Sequence, residues 1–230
     1  MPAHAFLKRA REHWLLLLVS IGCLVFAVAF LKVGSEVLEG DHKGLDLAVR
    51  DWIRAHHSPA GELVFNFVTW FGERWLLLPF ALIVGWPLFR GHLEWFVIML
   101  FCSLASAELS SILKHGFEMP RPPLGDALRD SFAFPSGHVI ATATTTAVIG
   151  YLALRRRIAP IAYITGGIVI TLLVGASRIY LDMHWFSDVV GGILVGATFS
   201  TGVCALFEWL MLAFTSVRRR RAAAIRQAPG

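Results

Sequence analysis

Long apolar segments set the strongest constraint on this chain. A helix that crosses the hydrocarbon core of a bilayer needs about 20 predominantly apolar residues. The segments that approach or exceed this length span residues 14–31, 63–89, 95–113, 137–154, 158–176 and 185–214. They predict an all-α, polytopic membrane protein with six transmembrane helices.

The composition agrees with a membrane protein. Of the 230 residues, 56% are hydrophobic and only 16% are charged, whereas an ordinary soluble domain is about 25% charged. This balance excludes a disordered chain and disfavours a soluble globule. It points to a membrane protein with a single domain over residues 1–230, because a length of roughly 150 residues per domain is only a soft prior. The three cysteines lie within apolar segments and show no disulfide or metal-ligand spacing.

The first two segments carry irregular features. Residues 14–31 follow three basic residues, as in a signal peptide, but the apolar stretch is longer than that of a typical cleaved signal. We therefore interpret it as an uncleaved first span. The second segment is interrupted by the sequence Gly72-Glu73-Arg74, which predicts a bend or a tilt at that point.

A short amphipathic helix is predicted between the first two spans, near residues 45–57. Leu45, Val49, Trp52 and Ile53 recur there at helical spacing in an otherwise polar stretch. An apolar face on a polar helix is typical of helices that lie in the membrane interface. We expect this helix to lie on the surface.

Basic residues in the short loops predict the orientation of the spans. Cytoplasmic loops carry an excess of Lys and Arg, and with the N-terminus inside, 12 of the 21 basic residues fall in inner segments. Six spans return the C-terminus to the same side, so both termini are predicted to be cytoplasmic. The arginine runs at 155–157 and 218–221 are interpreted as topology anchors. The net charge of +5 therefore indicates no nucleic-acid partner.

The opposite ends of the spans carry an unusual set of polar residues. The set comprises Lys114, Arg121, Pro122, Pro135–His138, Ser177, Arg178, His184 and Asp188. Hydropathy and loop charge alone place all of these residues on one side of the membrane. That convergence predicts a functional site at the outer surface.

Two of these clusters suit catalysis. His184 and Asp188 are four residues apart, so on a helix they share one face. A carboxylate beside an imidazole fixes its tautomer and stabilises its cation. The sequence Ser136-Gly137-His138 begins a span, and free N–H groups at a helix start bind anions. An ordinary helix pair and a plain N-cap at Ser136 are the structural alternatives.

Lys114, Arg121 and Arg178 are three cations at span ends. Each one alone is explained by a long side chain that reaches the interface. Together on the outer side they run against the excess of basic residues that is expected in cytoplasmic loops. Binding of an oxyanion with a charge near −2 is another explanation for their position. Because Arg can hold phosphate through two hydrogen bonds, the three residues are candidate phosphate ligands.

The polar residues form three motifs. Lys114 to Pro122 reads K-x6-R-P, Pro135 to His138 reads P-S-G-H, and Ser177 to Asp188 reads S-R-x5-H-x3-D. All three are complete and in order. Together they resemble the signatures of the type 2 phosphatidic acid phosphatase (PAP2) superfamily, and the six-span plan extends the resemblance over nearly the whole chain. The resemblance implies a bacterial membrane lipid phosphatase.

The resemblance also implies a role for each motif residue. His184 is the nucleophile that forms a phosphohistidine, Asp188 orients it, and His138 acts as general acid and then as base. The implied phosphate-binding residues are Lys114, Arg121, Ser136, Gly137 and Arg178. The family needs no metal or other cofactor, and the sequence offers no clustered outer carboxylates suited to magnesium.

The expected reaction removes phosphate from a lipid phosphate or diphosphate at the outer leaflet, with the site facing the periplasm from the inner membrane. Undecaprenyl diphosphate, phosphatidylglycerol phosphate, phosphatidic acid and lipid A are the candidate substrates. A lipid phosphotransferase with the same site is one alternative, and a lipid transporter is a weaker one. The expected partners are the phosphorylated lipid and the bilayer, while the sequence indicates no oligomeric state.

Several acidic residues fall near the motifs without belonging to them. Glu108 precedes Lys114 by about a turn and a half in its span. An acid within a span usually has a partner or a function, so Glu108 is a candidate for a supporting role beside the site. Four outer acids are expected to be solvated loop residues, and tuning of pKa values or discrimination of lipid head groups is the alternative: Glu118, Asp126, Asp130 and Asp182.

Overall fold

A computed structural model describes residues 3–123 and 131–227 of the chain. These residues form eight α-helices and no strand, which confirms the all-α prediction. The helices are α1 (Ala3–Glu39), α2 (Lys43–Ala55), α3 (Pro59–Thr69), α4 (Arg74–Phe89), α5 (Leu93–Phe117), α6 (Gly137–Arg156), α7 (Pro160–Tyr180) and α8 (Phe186–Gln227). A single domain over residues 1–230 stays a prediction.

Among the described residues, five helices are long and apolar enough to cross a membrane, namely α1, α5, α6, α7 and α8. The pair of α3 and α4 makes a sixth span if it is counted as one, and it bends by 69°. The bend falls at a short 3-10 helix, Trp70–Gly72, and at Glu73, whose backbone is extended where α4 begins. The predicted interruption at Gly72-Glu73-Arg74 is therefore the point where the second span bends.

The central helix of the bundle is α6. It packs against α4, α5, α7 and α8, and 72% of its most apolar window is buried, compared with 11–39% in the other four spans. Its first turn carries His138. Because four helices hold α6, the position of His138 is fixed relative to all of them.

A small cluster of buried apolar residues, Val139, Ile179 and Val189, joins the ends of α6, α7 and α8. Each of the three immediately follows a predicted site residue in the sequence. Packing within this cluster therefore fixes the three helix ends that carry those site residues. We call this end of the bundle, defined by the three cluster residues, the site end.

The predicted amphipathic helix is present as α2, but it is less superficial than expected. Val49 and Ile53 pack against the site-end cluster, whereas Leu45 and Trp52 are 57% and 65% exposed. The apolar face of α2 is therefore divided between the protein core and the exposed surface.

Candidate active site

His184 and Asp188 form a buried pair around the start of α8. His184 lies two residues before this helix, which begins at Phe186, and Asp188 lies in its first turn, so the prediction that they share one helix face is wrong. The Nδ1 atom of His184 lies 3.1 Å from Oδ2 of Asp188, and the Trp185 amide donates to the same oxygen at 2.8 Å. Because a carboxylate accepts hydrogen bonds, Nδ1 carries the proton in the neutral ring. The other ring nitrogen, Nε2, is then left with the lone pair that a nucleophile needs.

Arg121 faces that lone pair. Its Nη1 atom lies 3.1 Å from Nε2 of His184 and donates to the carbonyl of Met183 at 2.8 Å. The same guanidinium donates from Nε to the Ser131 carbonyl at 2.7 Å and from Nη2 to Ser131 Oγ at 3.0 Å. These bonds hold one N–H group of Arg121 beside Nε2 of His184.

Burial and the surrounding charges both favour the neutral imidazole of His184. Burial is the largest cause that lowers the pKa of His184 well below its ordinary value, and the positive charges of Arg178, Arg121, Lys114 and His138 lower it further. A neutral imidazole surrounded by cations suits attack on an anionic phosphoryl group.

The P-S-G-H motif lies at the first turn of α6, beside the buried pair. Ser136 holds the N-cap position, and its amide donates to the Asp188 carbonyl at 3.0 Å. Its side chain makes no capping bond, and Oγ is buried with no hydrogen-bond partner among the described residues. A side chain at Gly137 would lie only 3.0 Å from Ser110 Oγ. This helix start is therefore narrow, and it presents a hydroxyl group that the fold itself does not use.

The two remaining cations are anchored by polar groups. Lys114, in the last turn of α5, donates from Nζ to the carbonyl of Phe132. Arg178, in the last turn of α7, is 4% exposed and donates from Nη1 to Thr69 Oγ1 at 2.8 Å. The structure therefore places all eight motif residues predicted from the sequence at the site end.

Three supporting residues were missed by the sequence interpretation. Glu73 lies with Oε1 2.9 Å from Nε2 of His138, Thr69 accepts from Arg178, and Asp46 of α2 accepts from Ser187 at the start of α8. The interruption of the second span was the only signal for Glu73. No motif or spacing marked the other two.

The acids near the motifs behave differently from one another. Asp182 accepts hydrogen bonds of 2.7 and 2.9 Å from Arg50, so the prediction that it is a solvated loop residue is wrong. Glu118 is exposed, as expected. Glu108 is also exposed, and its supporting role beside the site stays a prediction. Asp126 and Asp130 lie outside the described residues.

The comparisons with known proteins agree with one another. The family model described as the PAP2 superfamily matches residues 95–212, slightly more than half of the chain. Over 140 residues the chain is 34% identical to phosphatidylglycerophosphatase B of Bacillus subtilis (strain 168), an alignment that covers 58% of this chain and 68% of that protein.

Two crystal structures are similar in fold. A transmembrane PAP2-type phosphatidylglycerolphosphate phosphatase from Bacillus subtilis matches with a TM-score of 0.72 and 26% identity, over 81% of this chain and 96% of that chain. LpxE of Aquifex aeolicus matches with a TM-score of 0.54 and 22% identity, over 72% and 94% of the two chains. The second likeness concerns the fold alone.

The fold and the site together define a multi-pass membrane phosphatase. The chain belongs to the PAP2 superfamily.

Proposed function

We propose that this enzyme removes phosphate from a lipid phosphate or diphosphate through a phosphohistidine formed on His184. One observation carries the proposal: Nδ1 of His184 is held by Asp188 while Nε2 faces Arg121, each at 3.1 Å. That arrangement orients a neutral nucleophile toward a cationic phosphate cradle. It is the geometry expected for covalent catalysis at phosphorus.

In the first step, Nε2 of His184 attacks phosphorus and a P–N bond forms as the bond to the leaving oxygen breaks. The electron pair of the broken bond stays on that oxygen, which takes a proton from the ring of His138. In the second step, His138 accepts a proton from water, whose oxygen attacks phosphorus and breaks the P–N bond. The products are the dephosphorylated lipid and inorganic phosphate.

Fixed cations supply most of the stabilisation in both steps. The phosphoryl group carries negative charge on its three equatorial oxygens in a loose transition state. Preorganised donors that face this charge stabilise it without reorganisation. The groups proposed for this task are Lys114, Arg121, Arg178, Ser136 Oγ and the Gly137 amide.

We place the site at the outer leaflet of the inner membrane, facing the periplasm, with both termini cytoplasmic. This orientation rests on the excess of basic residues in the loops at the opposite end of the bundle. The exposed Leu45 and Trp52 of α2 suit a helix in the interface at the site end. Lipid head groups at that interface would lie level with the phosphate cradle.

Phosphatidylglycerol phosphate is the first substrate to test. Both the similar protein and the better-matching crystal structure from Bacillus subtilis carry that lipid in their names. Undecaprenyl diphosphate, phosphatidic acid and lipid A complete the set of candidates. All four present a phosphate group on a membrane lipid.

The test is phosphate release from these four lipids by the purified protein in detergent, with EDTA present. We expect activity on at least one lipid and its loss in His184→Ala, while the exposed His56→Ala serves as a matched control. Label from a phosphate-labelled lipid should appear on the protein in an acid-labile, base-stable form. Strict dependence on an added divalent ion would contradict the proposed mechanism.

The same assay separates the alternatives. Transfer of the label to a second lipid without free phosphate would indicate a phosphotransferase. Full activity in His184→Ala would refute the phosphohistidine. Lipid movement without any phosphate release would indicate a transporter.

A further inference from the structure

We propose that Glu73 is a positioning residue that keeps His138 protonated and oriented for its role as general acid, an inference that rests on the proposed function. The two side chains lie 2.9 Å apart, from Oε1 of Glu73 to Nε2 of His138. Glu73 is outside the three motifs and outside the region matched by the family model. It forms a second carboxylate–imidazole pair in the site.

The bend in the second span is what brings Glu73 to this position. The backbone of Glu73 is extended (φ −77°, ψ 128°), and its carbonyl accepts the first hydrogen bonds of α4, from the amides of Leu76 and Leu77 at 3.0 and 2.8 Å. Because the chain bends at this residue, the side chain of Glu73 points away from the second span and reaches His138 on α6. A straight helix through residue 73 would not provide this direction.

The preceding residue allows the close approach. A Cβ atom at Gly72 would lie 3.0 Å from Cβ and Cδ2 of His138 and 2.8 Å from Cγ1 of Val174. Only glycine fits against both helices without displacing a side chain. The bend is therefore packed directly onto the ring that Glu73 contacts.

The charge of Glu73 has a chemical use at this point. His138 is 17% exposed and Glu73 is 35% exposed, and three cations surround the neighbouring His184. Those cations oppose a further positive charge on the ring of His138. A carboxylate at 2.9 Å offsets that opposition and favours the doubly protonated ring that a general acid needs.

In the reaction, Glu73 stays ionised and transfers no proton itself. One N–H of the His138 ring gives its proton to the leaving oxygen as the P–O bond breaks. The ring becomes neutral and keeps its other proton. When the same ring takes a proton from the attacking water, the carboxylate again balances the charge that forms.

The leaving group provides a test that a structural role would not pass. An alkoxide from a lipid needs a proton as it leaves, whereas nitrophenolate is stable enough to leave without one. We therefore expect Glu73→Gln, which keeps the size and a hydrogen-bonding oxygen, to slow single-turnover cleavage of the lipid phosphate by about 10–100-fold. Single-turnover release of nitrophenolate from p-nitrophenyl phosphate should change less than about threefold.

Two further variants complete the experiment. Glu73→Asp keeps the charge and should recover part of the lost rate on the lipid. The exposed Glu62→Gln, also on the second span, is the matched control and should behave as wild type on both substrates. Melting temperatures of all variants identify any that fail to fold.

Equal slowing of Glu73→Gln on both substrates would assign Glu73 a structural role and overturn the proposal. An unchanged rate on the lipid would overturn it as well. Either result leaves the proposed function standing as long as His184→Ala is inactive and acquires no label. Activity in His184→Ala would instead refute the proposed function itself.

Discussion

Asp46 of α2 accepts hydrogen bonds from both donors of Ser187 at the start of α8. Its Oδ1 accepts from the Ser187 amide at 2.8 Å, and its Oδ2 accepts from Ser187 Oγ at 2.6 Å. The next residue is Asp188, which orients His184. The amphipathic helix is thus bonded directly to the first turn of the helix around whose start the proposed catalytic pair lies.

The first prediction concerns this bond. Asp46→Ala leaves two buried donors of Ser187 without their acceptor, which should cost about 1–3 kcal/mol and lower the melting temperature in detergent by several degrees. Asp46→Asn can still accept from the amide and should lose much less. Equal melting temperatures for wild type and Asp46→Ala would show that the bond does not stabilise this helix start.

The second prediction concerns pH. A protonated imidazole cannot attack phosphorus, and the pKa of His184 lies well below its ordinary value, so the nucleophile should stay active below pH 6.5. Arg178→Gln removes a positive charge, which raises the pKa of His184. The acid limb of kcat/KM, which reports the free enzyme, should therefore move to higher pH.

Substrate ionisation is common to both enzymes in this comparison, because the same lipid is used throughout. The exposed Arg54→Gln provides a control with an equal change in net charge. Coincident acid limbs for wild type and Arg178→Gln would mean that Arg178 does not set the ionisation of the nucleophile.

The third prediction uses two glycines. Gly72→Ala brings a methyl group to about 3 Å from His138 and Val174, so it should shift the ring and reduce kcat by at least about tenfold. Gly166→Ala on α7 meets nothing within 4 Å and should leave the rate unchanged. Full activity in Gly72→Ala would show that the contact yields without moving His138.

The fourth prediction concerns stability at the opposite end of the bundle. Glu208 is fully buried, accepts from Tyr151 at 2.6 Å and pairs with Arg155, whose guanidinium lies 5.0 Å from the Trp95 ring. Glu208→Ala removes the buried carboxylate that pairs with the part-buried Arg155 and should cost about 3–5 kcal/mol. Phosphate release per folded molecule should stay at the wild-type value.

A double variant checks the cause of that loss. Replacement of the pair by Glu208→Leu with Arg155→Met removes both charges and should recover much of the melting temperature lost in Glu208→Ala. Failure of the double variant to recover stability would indicate that shape, and not the uncompensated charge, limits this region.

The sequence predicted the helices and the motif residues because both depend on short-range patterns. Hydropathy over about 20 residues defines a span, and the motif spacing keeps His184 and Asp188 close along the chain, although His184 lies just before the helix and not on it. The three motifs lie at helix ends that must meet when spans pack side by side. Their placement at one end of the bundle was predicted from the alternating direction of the spans through the membrane.

The supporting contacts could not be predicted in the same way. Glu73 and His138 are 65 positions apart, and Arg50 and Asp182 are 132 positions apart. The interruption in the second span predicted a bend, but not the direction in which its carboxylate would point. Likewise, periodicity identified α2 as amphipathic, but it did not predict that Asp46 would be buried. Asp46 contacts α8 only because of how the helices pack.

Three of the groups that support the site come from the chain before residue 95, where the family match begins. They are Asp46, Thr69 and Glu73, which contact Ser187, Arg178 and His138. A chimera that joined the first 94 residues of one relative to the motif-bearing remainder of another would keep every motif intact and still exchange these contacts. The segment that must be transferred intact in protein engineering is therefore longer than the segment that contains the motifs. A functional chimera has to take both residues of each supporting contact from the same parent protein.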